Sequence, residues 1–189
     1  MPHLPHFPSL ETDRLVLTQI ETDDSESILE LFSSESVVEF YNLEVFTSLQ
    51  QAADLIALLR NRFESETGIR WAIRDRSDNK FIGTCGFNSW NTKERSAVIG
   101  YDILPTFWGR GFATEAISGI IRAGFSGLLT CGALHRIQAD TMLCNTASEK
   151  VLLKVGFQEE GIRRGSGYWK GSYHDLKCFG LLAGELREK

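Results

Sequence analysis

The chain predicts an α/β fold of the mixed, α+β kind. A largely antiparallel central sheet of six to seven strands is expected, flanked by about four helices, in one domain over residues 1–189. Three observations carry this expectation. Residues 69–104 hold three apolar or alternating runs, IRWAIRD, KFIGTCGFNSW and SAVIGYDIL, separated by the polar turns RSDN and NTKE, which is the pattern of an antiparallel meander. After the third run the order becomes strand, helix, strand, and such an order requires a crossover and a parallel pair. The length of 189 residues, 42% of them apolar, is enough for one sizeable core.

Each element has a local reason. Residues 1–10, MPHLPHFPSL, carry prolines and histidines without periodicity and read as a loose N-terminal extension. RLVLTQI, residues 14–20, alternates as a half-buried strand does. Thr22, Asp23 and Asp24 offer caps for a helix that turns Ile28, Leu29, Leu31 and Phe32 inward. An aromatic and acidic connection, EFYNLEVF over residues 39–46, leads to a second helix capped by Thr47 or Ser48, with Ala52, Leu55, Ile56, Leu59 and Phe63 on one face. After the meander, a helix opening at Gly111 buries Ala113, Ile117, Ile120, Ile121, Gly124 and Leu128 and leaves at Gly127. HRIQADTM, residues 135–142, is the next strand. A helix from Asn145 turns Ala147, Val151, Leu152 and Val155 inward and stops before Gly156. Two strands close the chain, the last over residues 168–182 with a possible bend at residues 170–172.

The segment LPTFWGRGFATEA, residues 104–116, points to chemistry. Its glycines open an apolar helix and leave the first backbone N–H groups uncovered, where the helix dipole favours an anion. Gly109 and Gly111 carry no Cβ to hold a phosphate away, and Arg110 adds a cation. The plainer reading is a glycine loop that merely starts a helix. A dinucleotide fingerprint is excluded because Thr114 stands where the third glycine belongs, and a P-loop because no Gly-Lys-Ser/Thr follows.

Composition narrows the partners. A net charge of -5 and the lack of Lys/Arg runs argue against direct nucleic-acid binding. The four cysteines, Cys85, Cys131, Cys144 and Cys178, form no CxxC pair, so no metal site is expected. With no apolar run of spanning length and no leader pattern, no membrane association and a cytoplasmic location are expected.

About thirty residues after the glycine turn comes CNTASEKVLLKVGFQEEG, residues 144–161. Together the two segments resemble the GCN5-related N-acetyltransferase (GNAT) superfamily, particularly its ribosomal-protein-alanine acetyltransferase-like branch. The first is similar to that family's Gln/Arg-x-x-Gly-x-Gly/Ala motif, with Trp108 in place of Gln/Arg. In the second, Asn145, Ser148, Gly156 and Phe157 match the branch's Asn-x-x-Ser helix start and its Gly-Phe exit. The likeness runs from about Glu11 to the YHD run ending at Asp175.

The resemblance implies a GNAT fold with a splayed parallel strand pair at the cofactor site. It implies acetyl-coenzyme A as co-substrate, no metal, and a primary amine as acceptor, either a protein N-terminus or a small molecule. Relatives are monomers or homodimers. The cofactor residues implied are Ile103 and Leu104 along the pantetheine arm, and Trp108, Gly109, Arg110, Gly111, Phe112, Ala113 and Thr114 around the pyrophosphate. Asn145 would hold the pantetheine amide and Ser148 would protonate the departing thiolate, with Tyr168 and Tyr173 as other acids; ordinary capping is the plainer role for Asn145 and Ser148. Tyr41, Glu44, Trp71, Asn88 and Trp90 are the acceptor-pocket candidates. Asp102 is the first choice as base, with Glu44, His174 and Asp175 as further choices. The alternative function is a domain of the same fold that binds acyl-coenzyme A without turnover.

Overall fold

A computed structural model describes residues 6–186. The strands are β1 (Leu10–Glu11), β2 (Leu15–Gln19), β3 (Ile69–Asp75), β4 (Phe81–Asn91), β5 (Ser96–Ile103), β6 (Arg136–Met142), β7 (Gln158–Trp169) and β8 (Ser172–Leu182). The helices are α1 (Ser25–Phe32), α2 (Glu35–Val38), α3 (Leu49–Glu64), α4 (Phe112–Ser126) and α5 (Thr146–Val155). All eight strands form one sheet in the order β1-β2-β3-β4-β5-β6-β8-β7. Every neighbouring pair is antiparallel except β5 and β6. The expected architecture is present, with one strand and one helix more than the sequence suggests. β1 and the four-residue α2 are too short for periodicity to reveal.

Three local expectations change. The segment after residue 5 is not loose: Phe7 packs on Phe63 and Trp71 at centroid distances of 4.8 and 5.9 Å, and the Trp71 indole donates to the Pro8 carbonyl at 2.7 Å. Residues 1–5 lie outside the described residues. The possible bend at residues 170–172 is a full reversal, in which Lys170 (φ 50°) and Gly171 (φ 73°) make the two-residue turn between β7 and β8. Leu128 lies past the left-handed Gly127 and is exposed, and on α5 Leu152 is buried while Ala147 is exposed.

Helices α1–α3 cover one face of the sheet, and α4 and α5 the other. The pleat of β5 divides its side chains accordingly. Tyr101 reaches α5, and Phe87, opposite Ile99, meets α4 at Gly124. Val98, Gly100 and Asp102 point to the face of α1–α3. On that face Arg70 crosses the sheet to Asp102, its Nη2 donating to Oδ2, while its Nε donates to Thr84 Oγ1 at 3.0 Å and its Nη1 to Asn88 Oδ1 at 2.9 Å. Gly100 lets this happen, because a Cβ there would sit 2.8 Å from Arg70 Nη1 and 2.5 Å from Asn88 Nδ2. Burial pushes the Asp102 carboxyl above the usual carboxylate range against the pull of Arg70 and Thr84. Burial would lower Arg70, but Asp102, together with Tyr41 and Cys85, outweighs this and raises it.

At the other face the first turn of α4 is tied to the β1–β2 corner. Glu115 accepts from Thr12 Oγ1 (2.6 Å), the Arg14 amide (2.8 Å) and Arg14 Nε (2.7 Å). Burial alone would raise the Glu115 carboxyl; these donors outweigh it and hold it below the usual range.

Two stability outcomes follow. Asp102→Ala leaves a buried guanidinium unpaired and should cost roughly 3–5 kcal/mol in urea unfolding, whereas Arg70→Met/Asp102→Leu together should recover most of it. Glu115→Gln should cost about 1 kcal/mol at pH 7. Because the Glu115 pKa is lowered on folding, its contribution exists above the unfolded value of about 4.3 and is lost as pH falls through the folded one. The difference between Glu115→Gln and the parent should therefore begin to narrow in melts below about pH 4.3 and close once the pH is below the folded value.

Candidate active site

The site begins where β5 and β6 part. They pair only through Ser96–Arg136, Ala97–Ile137 and Val98–Gln138. Beyond that, residues 99–103 of β5 and 139–142 of β6 run on without pairing to each other, while β4 and β8 still hold their outer edges. Leu104 donates to the Ile82 carbonyl of β4 at 2.9 Å, so by the alternation of an antiparallel ladder the preceding amide, that of Ile103, faces the opening.

The opening leads to two helix starts. That of α4 has no side-chain cap, and Gly109 (φ 72°) and Gly111 (φ 80°) both adopt the left-handed conformation that glycine tolerates. A Cβ on Gly109 would meet nothing within 4 Å, so the space over the turn is open. Around it Trp108 donates its indole N–H to the Ile103 carbonyl at 2.7 Å, tying the turn to the end of β5. Arg14 stacks over Phe112 at 4.5 Å and donates to the Arg110 carbonyl at 3.2 Å. Arg110 lies over Phe112 at 5.0 Å. Phe112 is buried; Ala113 and Thr114 are half-buried on the first turn. Two cations thus sit beside uncapped N–H groups, an arrangement that suits a polyphosphate.

The start of α5 is capped by Asn145, whose Oδ1 accepts from the Ser148 amide at 3.2 Å. The capping reading of Asn145 is therefore realised, and its amide Nδ2 has no acceptor among the described residues. Ser148 Oγ lies 2.5 Å from Tyr101 Oη, so the α5 start and the freed part of β5 meet across the opening. Burial pushes the Tyr101 phenol up to about 12. On the freed part of β6, Thr141 is buried and its hydroxyl has no hydrogen-bond partner among the described residues. A buried orphan hydroxyl and an unpaired strand edge are what a polar, amide-bearing arm inserted between β5 and β6 would satisfy. The residues present fit coenzyme A. Among the described residues no His/Cys/Asp/Glu cluster could hold a metal, and no helix is long and apolar enough to cross a membrane.

The opposite face carries Tyr41, Asn88 and Asp102, while the register puts Trp71 and Trp90 on the side of Tyr101, and the structure corrects several acceptor-site expectations. Tyr41 stands with Arg70 and Asp102, and burial pushes its phenol up to about 12. Asn88 is held by Arg70. Glu44 is exposed on the α2–α3 loop. Trp71 is fully buried against Phe7 and belongs to the core. Trp90 pairs with Ala97 at the opposite end of β5 from Ile103 and is pinned to the Glu66 carbonyl. Asp102 is not an open base, since its side chain is 3% exposed and gripped by Arg70 and Thr84.

The remaining candidates sit on the β7–β8 hairpin. Tyr168 and Tyr173 are exposed and pack on each other at 4.8 Å; the phenol that meets Ser148 is Tyr101. Asp175 accepts from the Gly165 amide at 2.7 Å, a structural contact. His174 stacks on Trp169 at 4.4 Å. The hairpin tip reaches across the molecule, with Lys170 Nζ donating to the Val38 carbonyl at the end of α2 at 2.8 Å. Sequence reasoning missed Arg70, Thr84, Tyr101 and Lys170. The mid-strand glycines Gly86 and Gly100 were the available signal for the first two, since such glycines mark a close approach.

Comparison with known proteins agrees with this geometry. Residues 14–158 match the family model of the acetyltransferase (GNAT) domain. The chain is 42% identical over 176 residues to the uncharacterized N-acetyltransferase YoaA of Bacillus subtilis, covering 93% of this chain and 97% of that one. Its fold is similar to the ribosomal-protein-S5-alanine acetyltransferase from Vibrio fischeri, with a TM-score of 0.79 at 20% identity over 96% of this chain and all of the other. It is equally similar to the spermidine N-acetyltransferase from Vibrio cholerae solved with coenzyme A and spermine, with a TM-score of 0.78 at 24% identity over 92% and 98%. The chain belongs to the GNAT N-acetyltransferase family, enzymes that take their acyl group from acetyl-coenzyme A.

Proposed function

We propose that this protein transfers the acetyl group of acetyl-coenzyme A to a primary amine by direct attack in a ternary complex. One observation carries the reading: a bare helix start at Gly109–Gly111 stands at the mouth of a strand pair that has opened, with Ser148 held inside that opening. The backbone from Gly109 to Thr114 binds the pyrophosphate, with Arg110 and Trp108 beside it. The pantetheine arm runs along Ile103 and Leu104 as an inserted strand, its amides met by Asn145 Nδ2 and the freed edge of β5.

The acceptor amine approaches from the face of Tyr41 and Asn88. Its nitrogen, in the neutral form after its ammonium proton has passed to water, attacks the thioester carbonyl, and the Ile103 amide faces the developing oxyanion, an interaction worth roughly 3 kcal/mol when well aimed. The C–S bond then breaks with its electron pair going to sulfur, and the Ser148 hydroxyl proton moves to that sulfur. The proton shed by the new amide nitrogen returns through water to Ser148, so the residue ends as it began. Glu44, exposed on this face, is the carboxylate available to draw a basic amine in. The acceptor is a protein N-terminus, as for a ribosomal protein, or a small amine; neighbours of equal structural similarity act on either.

Free thiol should appear from acetyl-coenzyme A only when an amine from a panel of N-terminal peptides and polyamines is added. Gly111→Glu places a carboxylate against the pyrophosphate and also strains a backbone at φ 80°, so calorimetry should show acetyl-coenzyme A binding weakened by about 100-fold or more. Unchanged affinity would place the diphosphate elsewhere. Ser148→Ala should lower kcat by roughly 100-fold with the cofactor KM nearly unchanged.

A further inference from the structure

We infer that Tyr101 is the positioning residue for Ser148, donating its phenolic hydrogen to Ser148 Oγ and so leaving the serine's own hydrogen free to face the sulfur of the bound thioester. This inference rests on the proposed role of Ser148 and adds a residue that the glycine and Asn-x-x-Ser motifs do not contain. The geometry is specific. Tyr101 lies on the stretch of β5 that has left β6, and its Oη is 2.5 Å from Ser148 Oγ and 3.3 Å from the Ser148 carbonyl. The backbone at the serine is held by the Asn145 cap, which leaves the side-chain rotamer and the hydroxyl torsion for the contact with Tyr101 to set.

A serine hydroxyl has one hydrogen and two lone pairs. Without a donor beside it, a serine at the third position of a helix directs its hydrogen to whatever acceptor is nearest. With the phenol donating to one lone pair, that hydrogen is released for a second partner, and the phenol's polarisation makes it a better donor. The phenol does not give its proton away: burial holds it protonated far above neutral pH. Tyr101 thus acts through Ser148, while the C–S bond cleavage and proton movement remain those already described.

Tyr101→Phe removes one oxygen and keeps the ring, so the β5–α5 contact survives. In steady-state assays with acetyl-coenzyme A and the best amine of the panel, it should lower kcat roughly tenfold or more while leaving the cofactor KM within about twofold. In the Ser148→Ala background the same change should cost nothing further, because the group it orients is gone. A second readout needs no turnover. The thiol of bound coenzyme A, titrated by its thiolate absorbance against a blank of protein with desulfo-coenzyme A, should have a lower pKa in the parent than in Tyr101→Phe or Ser148→Ala.

A multiplicative loss in the double variant would overturn the inference by showing that Tyr101 acts independently of Ser148. Parent-like kcat and thiol pKa in Tyr101→Phe, with Ser148→Ala impaired, would sink this inference alone. Parent-like behaviour of Ser148→Ala in both readouts would sink the acid role of Ser148 and this inference with it.

Discussion

The parting of β5 from β6 after Val98 is the constraint on which the molecule's chemistry depends. A parallel pair in the middle of a sheet normally spends every backbone group on its neighbour. Here β5 has no β6 partner after Val98, and its Ile103 carbonyl is met by the Trp108 indole instead. The sheet tolerates the break because β4 and β8 hold the outer edges of both strands over their whole length. Tyr101 and the start of α5 then stand in the opening. The unpaired stretch and the Thr141 hydroxyl, which has no partner among the described residues, suit a polar chain better than an apolar one.

The two faces of β5 carry different chemistry. On the side of α4 and α5 lie uncapped amides, two stacked arginines and the Tyr101–Ser148 contact, all suited to hold a polyanionic thioester and to accept its leaving group. On the side of α1–α3 lies the Arg70–Asp102 pair with Thr84, Asn88 and Tyr41. The pair is buried and committed to its own partners, which leaves Asp102 closed to solvent. Alternation along one strand separates the two sets: Tyr101 and Asp102 are consecutive in the chain and serve opposite faces.

The hairpin of β7 and β8 reaches the end of α2. Its two-residue turn presents Lys170 to the Val38 carbonyl, where a cation meets the end of α2. That contact joins residues 132 positions apart and anchors the loop that carries Tyr41 and Glu44. The stack of Trp169 on His174 stiffens the tip. Neighbouring enzymes of similar fold take acceptors as unlike as a ribosomal protein and spermidine, and loops of this kind, set on a rigid sheet, are where such differences arise.

Much of this was legible in the residues themselves. Gly109 and Gly111 announce a left-handed turn because few other residues adopt it, and Asn145 with Ser148 announces a helix start because their side chains cap locally. The meander and the crossover follow from period and order alone. These are short-range effects, written within a few positions of each other. Tertiary structure alone decided which side chains meet: that Trp71 closes a core under Phe7, that Asp102 is taken by Arg70 thirty-two residues away, and that Tyr101 finds Ser148 forty-seven residues on. Such partners are chosen by strand register and helix placement, which depend on the whole packed sheet, so no local pattern could have named them.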